Sequence, residues 1–279
     1  MGSVAWQDNH LNLILLLSTL CGSVAIQVGT NLANEYFDYT QGIDKADSLG
    51  PAGVILEGKL APLQVLYAAI FSFAVGAGFG LYIVTQVDWI ILSIGLVSIL
   101  AAWFYTAKPF SLGYKGLGEL EVFIFMGPIM LTAAYYVQAR SISWTPLLLS
   151  IPVGLLVTAI LHANNLRDVA QDNERDRITW VVLACRLWGM KRGRDVSCWG
   201  YYAMVAGAYV VLVGLVAIHV APVPSLLTLL TTPQAYKLIK FVASGVTGKH
   251  LSLVVRGTAL LHMFFGIALT LGYLLVLNH

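Results

Sequence analysis

Two short stretches gather carboxylates and carboxamides in an otherwise apolar chain. The first reads Asn31-Leu-Ala-Asn34-Glu35-Tyr-Phe-Asp38-Tyr-Thr-Gln-Gly42-Ile-Asp44-Lys45-Ala-Asp47, and the second His162-Ala-Asn164-Asn165-Leu-Arg167-Asp168-Val-Ala-Gln-Asp172. On a helix, Asn31, Asn34 and Asp38 are spaced by three and four and share one face. Asn164, Asp168 and Asp172 recur every four residues and do the same. Gly42 is expected to end the first helix and let Asp44 and Asp47 turn back toward that face. Like charges at this spacing destabilise a helix, and desolvation near a membrane adds to the cost. Something positive must compensate. Carboxylate and Asn oxygens are hard ligands suited to Mg²⁺, which commonly completes its shell with phosphate oxygens. Each stretch could hold one ion, with a diphosphate bridging the two. A single such stretch also reads as a solvated helix end; the pairing of two, each with Asn four before its first Asp, argues for the site. Lys108 and Lys115, in the loop from Tyr105 to Glu119, could touch phosphate as point charges, as could Arg167. Each lone cation is also what a positively biased loop carries.

The elements that must position these residues are membrane helices. Of the 279 residues 58% are hydrophobic and 11% charged, with a mean hydropathy of +0.78. Soluble domains carry about 25% charged residues, so the composition argues against a water-soluble globule, and disorder would require a polar chain. The net charge of +2 is too small for a nucleic-acid partner. Cys21, Cys185 and Cys198 match no metal or redox spacing. Eight apolar segments are expected, at about 11–34, 62–84, 88–107, 118–138, 145–166, 196–220, 223–241 and 255–277. The seventh holds Pro222, Pro224 and Pro233 at its start or inside it, and a kinked or re-entrant helix is the alternative there. No Lys or Arg precedes Lys45, so the first segment lacks the positive start of a signal peptide.

If eight helices alternate, fifteen of the sixteen Lys and Arg residues fall on one side, with Arg140 the exception. Positive-inside bias makes that side cytoplasmic and puts both ends, near Asp8 and His279, on the other. Twelve of the fourteen acids follow, all but Asp8 and Asp88. Both Asp-bearing stretches end helices that reach the cytoplasmic side.

At these residues the chain resembles the UbiA superfamily of intramembrane prenyltransferases. That family carries two Asn-x3-Asp-x3-Asp motifs at the ends of its second and sixth helices. Asn164, Asp168 and Asp172 match the second motif in full. Asn34 and Asp38 match the first, but Gly42 takes the third position and Asp44 is the next acid. "NLANEYFDYTQGIDKAD", "LGYKGLGELEVFIFMGP" and "HANNLRD" resemble the 1,4-dihydroxy-2-naphthoate polyprenyltransferase branch, whose first motif departs in the same way. The likeness runs from about residue 11 to 275 and is strongest over 27–58, 103–128 and 160–176. After Asp172 the chain keeps Arg177 and Thr179 but inserts apolar residues where the family is basic.

The resemblance implies an all-α, polytopic membrane bundle forming a single domain over 1–279. The family has nine helices, so this chain is expected to lack the first. It implies Mg²⁺-dependent transfer of a polyprenyl group from its diphosphate to 1,4-dihydroxy-2-naphthoate, with decarboxylation, giving demethylmenaquinone for menaquinone biosynthesis. The lipid bilayer of a bacterial inner membrane would surround it. Two Mg²⁺ ions would sit on Asn34, Asp38, Asp44, Asp168 and Asp172. Asp38, Asp168, Asp172, Lys115 and Arg167 would act in catalysis; Asn31, Asn34, Asn164, Asp47, Tyr114, Lys108 and Glu119 would bind or support substrate. Tyr36, Phe37, Tyr39, Phe104, Tyr105 and Tyr114 could line an aromatic pocket that keeps water from the allylic cation. Three alternatives stay open: a sibling enzyme for 4-hydroxybenzoate, homogentisate, a chlorophyll precursor or haem, a transporter with Asp-rich gates, and a non-catalytic relative. A transporter would place its polar site near the midplane of repeated halves, and no repeat is visible.

Overall fold

The computed structural model describes residues 1–50 and 53–276. The expected end of the last segment at 277 and the placing of His279 lie outside those residues. A short helix, α1 (Gly2–Gln7), precedes α2 (Leu13–Thr40). Asn12 caps α2 by accepting from the amides of Ile14 and Leu15 at 3.0 and 3.1 Å, which satisfies otherwise orphaned donors. The helix ends where Gly42 adopts φ +72°, and the amides of Ile43 and Asp44 turn back onto the Asp38 carbonyl at 2.8 and 3.0 Å. This is the glycine-terminated end the sequence predicts.

Pro62 opens α3 (Pro62–Gln86), a position where its missing N–H costs nothing. Then come α4 (Ile90–Phe104), α5 (Gly118–Ile124) and α6 (Met130–Ala139). A single π turn over Phe125–Ile129 joins the last two. Pro128 lies inside it and cannot donate to the ladder, the ordinary cause of such a distortion. The central helix is α7 (Trp144–Glu174), capped by Ser143. It is followed by α8 (Trp180–Trp188), α9 (Met190–Ala217), a 3₁₀ segment over Val223–Thr231, α10 (Thr232–Ala243) and α11 (Ser252–Leu274).

Each of the eight expected apolar segments is helical. Among the described residues six spans are long and apolar enough to cross a bilayer: Leu13–Thr40, Pro62–Gln86, Gly118–Ala139, Trp144–Glu174, Met190–Ala217 and Gly248–Leu274. The other two are shorter. Ile90–Phe104 has 15 residues. In the seventh segment Pro222 and Pro224 permit only a 3₁₀ coil before α10 begins with Pro233 in its first turn, so the kinked alternative holds. Leu13, Ile14, Leu17, Leu20 and Val24 leave an apolar stripe of α2 uncovered, as do Leu63, Tyr67, Ile70 and Phe71 on α3. Such surfaces belong in lipid; the protein is a multi-pass membrane protein.

The bundle has a dense half and a thin half. Leu149, Leu156, Ala159, Ala163 and Leu166 of α7 pack with Tyr201, Val205 and Leu212 of α9 and Leu261 and Phe265 of α11. Against this stands the hairpin of α2 and α3, whose own core is little more than Ala33, Ala69 and Phe73. Gly22 and Gly76 let its two helices touch; a Cβ on Gly76 would fall 2.7 Å from Ile26. The functional cavity lies between the halves.

Candidate active site

A cavity of about 910 Å³ runs between α2, α4, α5–α6 and α7. One end is lined by Asn31, Asn34, Asp38, Asp44, Asn164, Arg167, Asp168, Gln171, Asp172, Arg175 and Arg177. Most of the remaining wall is apolar or small, down to Thr19, Ile83, Ile91 and Val137 at the far end. Asp38 and Asp168, from helices far apart in sequence, therefore face one space. The expected pairing of two acid-bearing helix ends holds in the geometry.

The two ends are held differently. On α7, Asp168 takes both oxygens to the guanidinium of Arg167, at 2.7 Å from Nε and 2.6 Å from Nη2. Asp172 lies 3.6 Å from Arg177 Nη1, and its Oδ2 is buried without a partner. On α2, Asp38 accepts from the Tyr114 hydroxyl, and Asn34 Oδ1 accepts from Thr106 Oγ1 at 2.9 Å.

Arg177 is the hub. It follows the end of α7 through a reversal that places Asp176 at φ 56°. Burial alone would lower its basicity, but Asp172, Asp38 and Asp168 around it outweigh that and keep it firmly protonated. Its Cζ lies 5.4 Å from the Tyr114 ring centroid, a cation–π contact. Tyr114 is fixed in turn by a short parallel bridge. Its carbonyl accepts from Ile178 N at 3.1 Å, and Ile178 O accepts from Gly116 N at 2.7 Å. Tyr114 thus ties Asp38 to the segment after α7.

The loop after Gly42 closes over the same end. Arg175 donates to Ile43 O, Ser48 Oγ and Asp47 Oδ1 at 2.6, 2.9 and 2.9 Å. Gln171 bonds Asp47 O at 2.6 Å and Leu49 N at 3.1 Å. Asp44 reaches the cavity. Burial pushes its carboxyl up while Arg177 and Arg175 pull it down, with the net shift upward.

Several expected residues are placed elsewhere. Asp47 is 70% exposed and serves as an anchor for Arg175 rather than facing the cavity. Lys108 is exposed, and Lys115 sends its ammonium to Pro109 O at 3.3 Å; neither is among the residues lining the cavity. Glu119 turns behind α5, where its Oε1 meets His162 Nδ1 at 3.1 Å and Asn165 Nδ2 at 2.9 Å. It ties α5 to α7 and does not reach the cavity. Of the six expected aromatic residues only Tyr105 lines the space, joined by Phe125. Phe37 packs on Trp103, and Phe104 on Phe110. The wall is therefore aliphatic in the main, not aromatic-rich. Arg175 and Gln171 carried no expectation, and Arg177 was singled out only as a kept family residue.

Among the described residues no three His, Cys, Asp or Glu side chains stand close enough to grip a metal unaided. The donor set still suits Mg²⁺ that takes one or two carboxylates and leaves the rest of its shell to water and phosphate. Asp38, Asp44 and Asp172 would supply those carboxylates, the last through its orphaned Oδ2. Asp168 is already engaged by Arg167 and would have to share.

Residues 1–246 match the model of the UbiA prenyltransferase family. A 1,4-dihydroxy-2-naphthoate octaprenyltransferase of Mycobacterium tuberculosis is 35% identical, covering 96% of this chain and 87% of that protein. One from Bacillus subtilis is 31% identical over 95% and 83%. A 2-carboxy-1,4-naphthoquinone phytyltransferase of Synechocystis is 33% identical over 96% and 82%. A solved apo structure of a UbiA homolog from Aeropyrum pernix K1 superposes with a TM-score of 0.70 at 13% identity, over 98% of this chain and 94% of that one. This chain belongs to the UbiA family and is a membrane-embedded prenyltransferase.

Proposed function

We propose that the protein transfers a polyprenyl group from polyprenyl diphosphate to 1,4-dihydroxy-2-naphthoate with loss of CO₂, in menaquinone biosynthesis. The observation that carries this is the polarity of one cavity: acids and guanidinium groups at one end, an apolar channel behind them. A diphosphate fits the first and a hydrocarbon tail the second. The names of the relatives support the acceptor.

The residues divide the work by charge. Arg177, held among the carboxylates, faces the space a diphosphate would fill, with Arg167 and Arg175 beside it. These cations stabilise the negative charge that builds as the C1–O bond breaks. Mg²⁺ on Asp38, Asp44, Asp168 and Asp172 would supply further charge to the leaving group. Asn34 and Asn164 line the wall one turn deeper and Asn31 about two turns deeper, able to orient the bound donor. Loop 43–49, fastened by Arg175 and Gln171, limits water at the mouth. The crowding of Lys and Arg at this end supports a cytoplasmic, inner-membrane orientation.

Purified protein should convert labelled allylic diphosphate and 1,4-dihydroxy-2-naphthoate into prenylated product and CO₂. EDTA should stop the reaction and Mg²⁺ restore it. Preference for 4-hydroxybenzoate or homogentisate, or full activity in EDTA, would overturn the acceptor or the metal assignment respectively.

A further inference from the structure

One carboxylate in the cavity has no place in the account above. Glu121 lies on α5 two residues past Glu119, and a helix points such a pair to nearly opposite sides. Glu119 turns back to α7 and finds His162 and Asn165. Glu121 instead lines the cavity beside Val122, Phe125 and Met126. Its Oε2 is buried without a hydrogen-bond partner. An ionisable group at membrane depth is costly unless something answers it, and a buried unpaired carboxyl oxygen forfeits its solvation.

Its depth is informative. The Glu119 bonds set the start of α5 level with residues 162–165 of α7, and Gly127 meets Gly154 further down, so the two helices run in opposite directions. Glu121 then lies about 10 Å below Asp168, at 1.5 Å of rise per residue. Asn164 and Tyr105 share the intervening wall. A diphosphate held at the mouth would place its reacting carbon, and the ring that attacks it, in that interval. An acceptor ring lying there would share its wall with Glu121.

We propose that Glu121 is the general base that accepts the hydroxyl proton of the aromatic acceptor. This rests on the prenyl transfer proposed above. The O–H proton passes to the Glu121 carboxylate, and the freed electron pair enters the ring. The ring carbon bonds to C1 of the donor, whose C1–O bond breaks with its pair leaving on the diphosphate. Loss of CO₂ from the same ring carbon returns a pair to the ring, and the oxygen recovers its proton from Glu121. The carboxylate is regenerated with no net proton consumed.

The test compares wild type with Glu121→Gln, which keeps shape and hydrogen bonding but cannot take the proton. Donor binding is followed separately with an unreactive thiodiphosphate analogue. General-base catalysis contributes about 10²–10⁴-fold, so kcat should fall by at least about 100-fold while analogue binding stays within about twofold. Transfer by the variant within about threefold of wild type would overturn the proposal. Loss of analogue binding together with transfer would give Glu121 a structural role and overturn it too. A wild-type protein that prenylates no dihydroxynaphthoate would instead remove the underlying reading, and this inference with it.

Discussion

The two acid-bearing helix ends look alike in sequence but are built differently. More than half of the apolar stretch of α7 is buried within the protein, 56% against 22% for α2. Asp168 and Asp172 therefore stand on the core's central strut, and Asp168 is locked by a bidentate guanidinium. Asp38 stands near the end of α2, whose outer face is apolar and uncovered, and Asp44 in the loop that follows. Their position depends on bonds reaching across from elsewhere: Tyr114 to Asp38, Thr106 to Asn34, and Arg175 to the loop after Gly42. One half of the site is set by packing, the other by polar ties. Packing is collective and stiff, whereas a few hydrogen bonds at a membrane surface open locally at modest cost.

Aspartate removal tests this contrast most strongly. Asp168→Ala and Asp38→Ala should each lower transfer by about 10²–10³-fold, as expected when an electrostatic group of a reacting site is lost. Only Asp168→Ala should also unfold easily, because stranding a buried guanidinium costs about 3–5 kcal/mol. Thermal unfolding in detergent reads the difference, and equal melting temperatures would break the contrast. A smaller effect is expected from Tyr114→Phe, which keeps the ring under Arg177 but drops the bond to Asp38. One net hydrogen bond is worth about 1 kcal/mol, so transfer should fall by no more than about fivefold and stability by no more than about that amount. Smallest is Arg175→Ala, which unfastens the exposed loop. The KM for donor should rise and kcat fall, each about threefold, as a tie to an exposed Asp47 and a minor share of the leaving-group charge allow, with faster proteolysis between Asp44 and Leu49. An equal KM effect from a buried α7 substitution away from the cavity, such as Leu156→Ala, would erase the distinction.

Much of this was readable in the chain. The shared faces of Asn31, Asn34 and Asp38, and of Asn164, Asp168 and Asp172, follow from helix periodicity alone. Gly42 announced the turn that carries Asp44 inward. Arg177 was harder, because it lies beyond the helix end, where no period applies and a reversal fixes its direction. Glu121 read as one polar letter in an apolar run; only the packing of α5 on α7 separates it from Glu119. Lys108 and Lys115 lie outside the cavity wall for the converse reason, since a loop's charge says nothing about which way its long side chains extend. Seven-residue α5 and the π turn at Pro128 were hidden inside what looked like one continuous span.

The length of the cavity bears on how a greasy product departs. From Thr19 to Asp38 its wall on α2 covers about 28 Å at 1.5 Å per residue, close to the roughly 30 Å hydrocarbon thickness of a bilayer. A tail lying there already parallels the neighbouring acyl chains. A tail that passed from there into the bilayer would trade one oily surrounding for another, sparing each methylene the roughly 0.8 kcal/mol that contact with water would exact. Turnover can then finish without the isoprenoid ever meeting the aqueous phase.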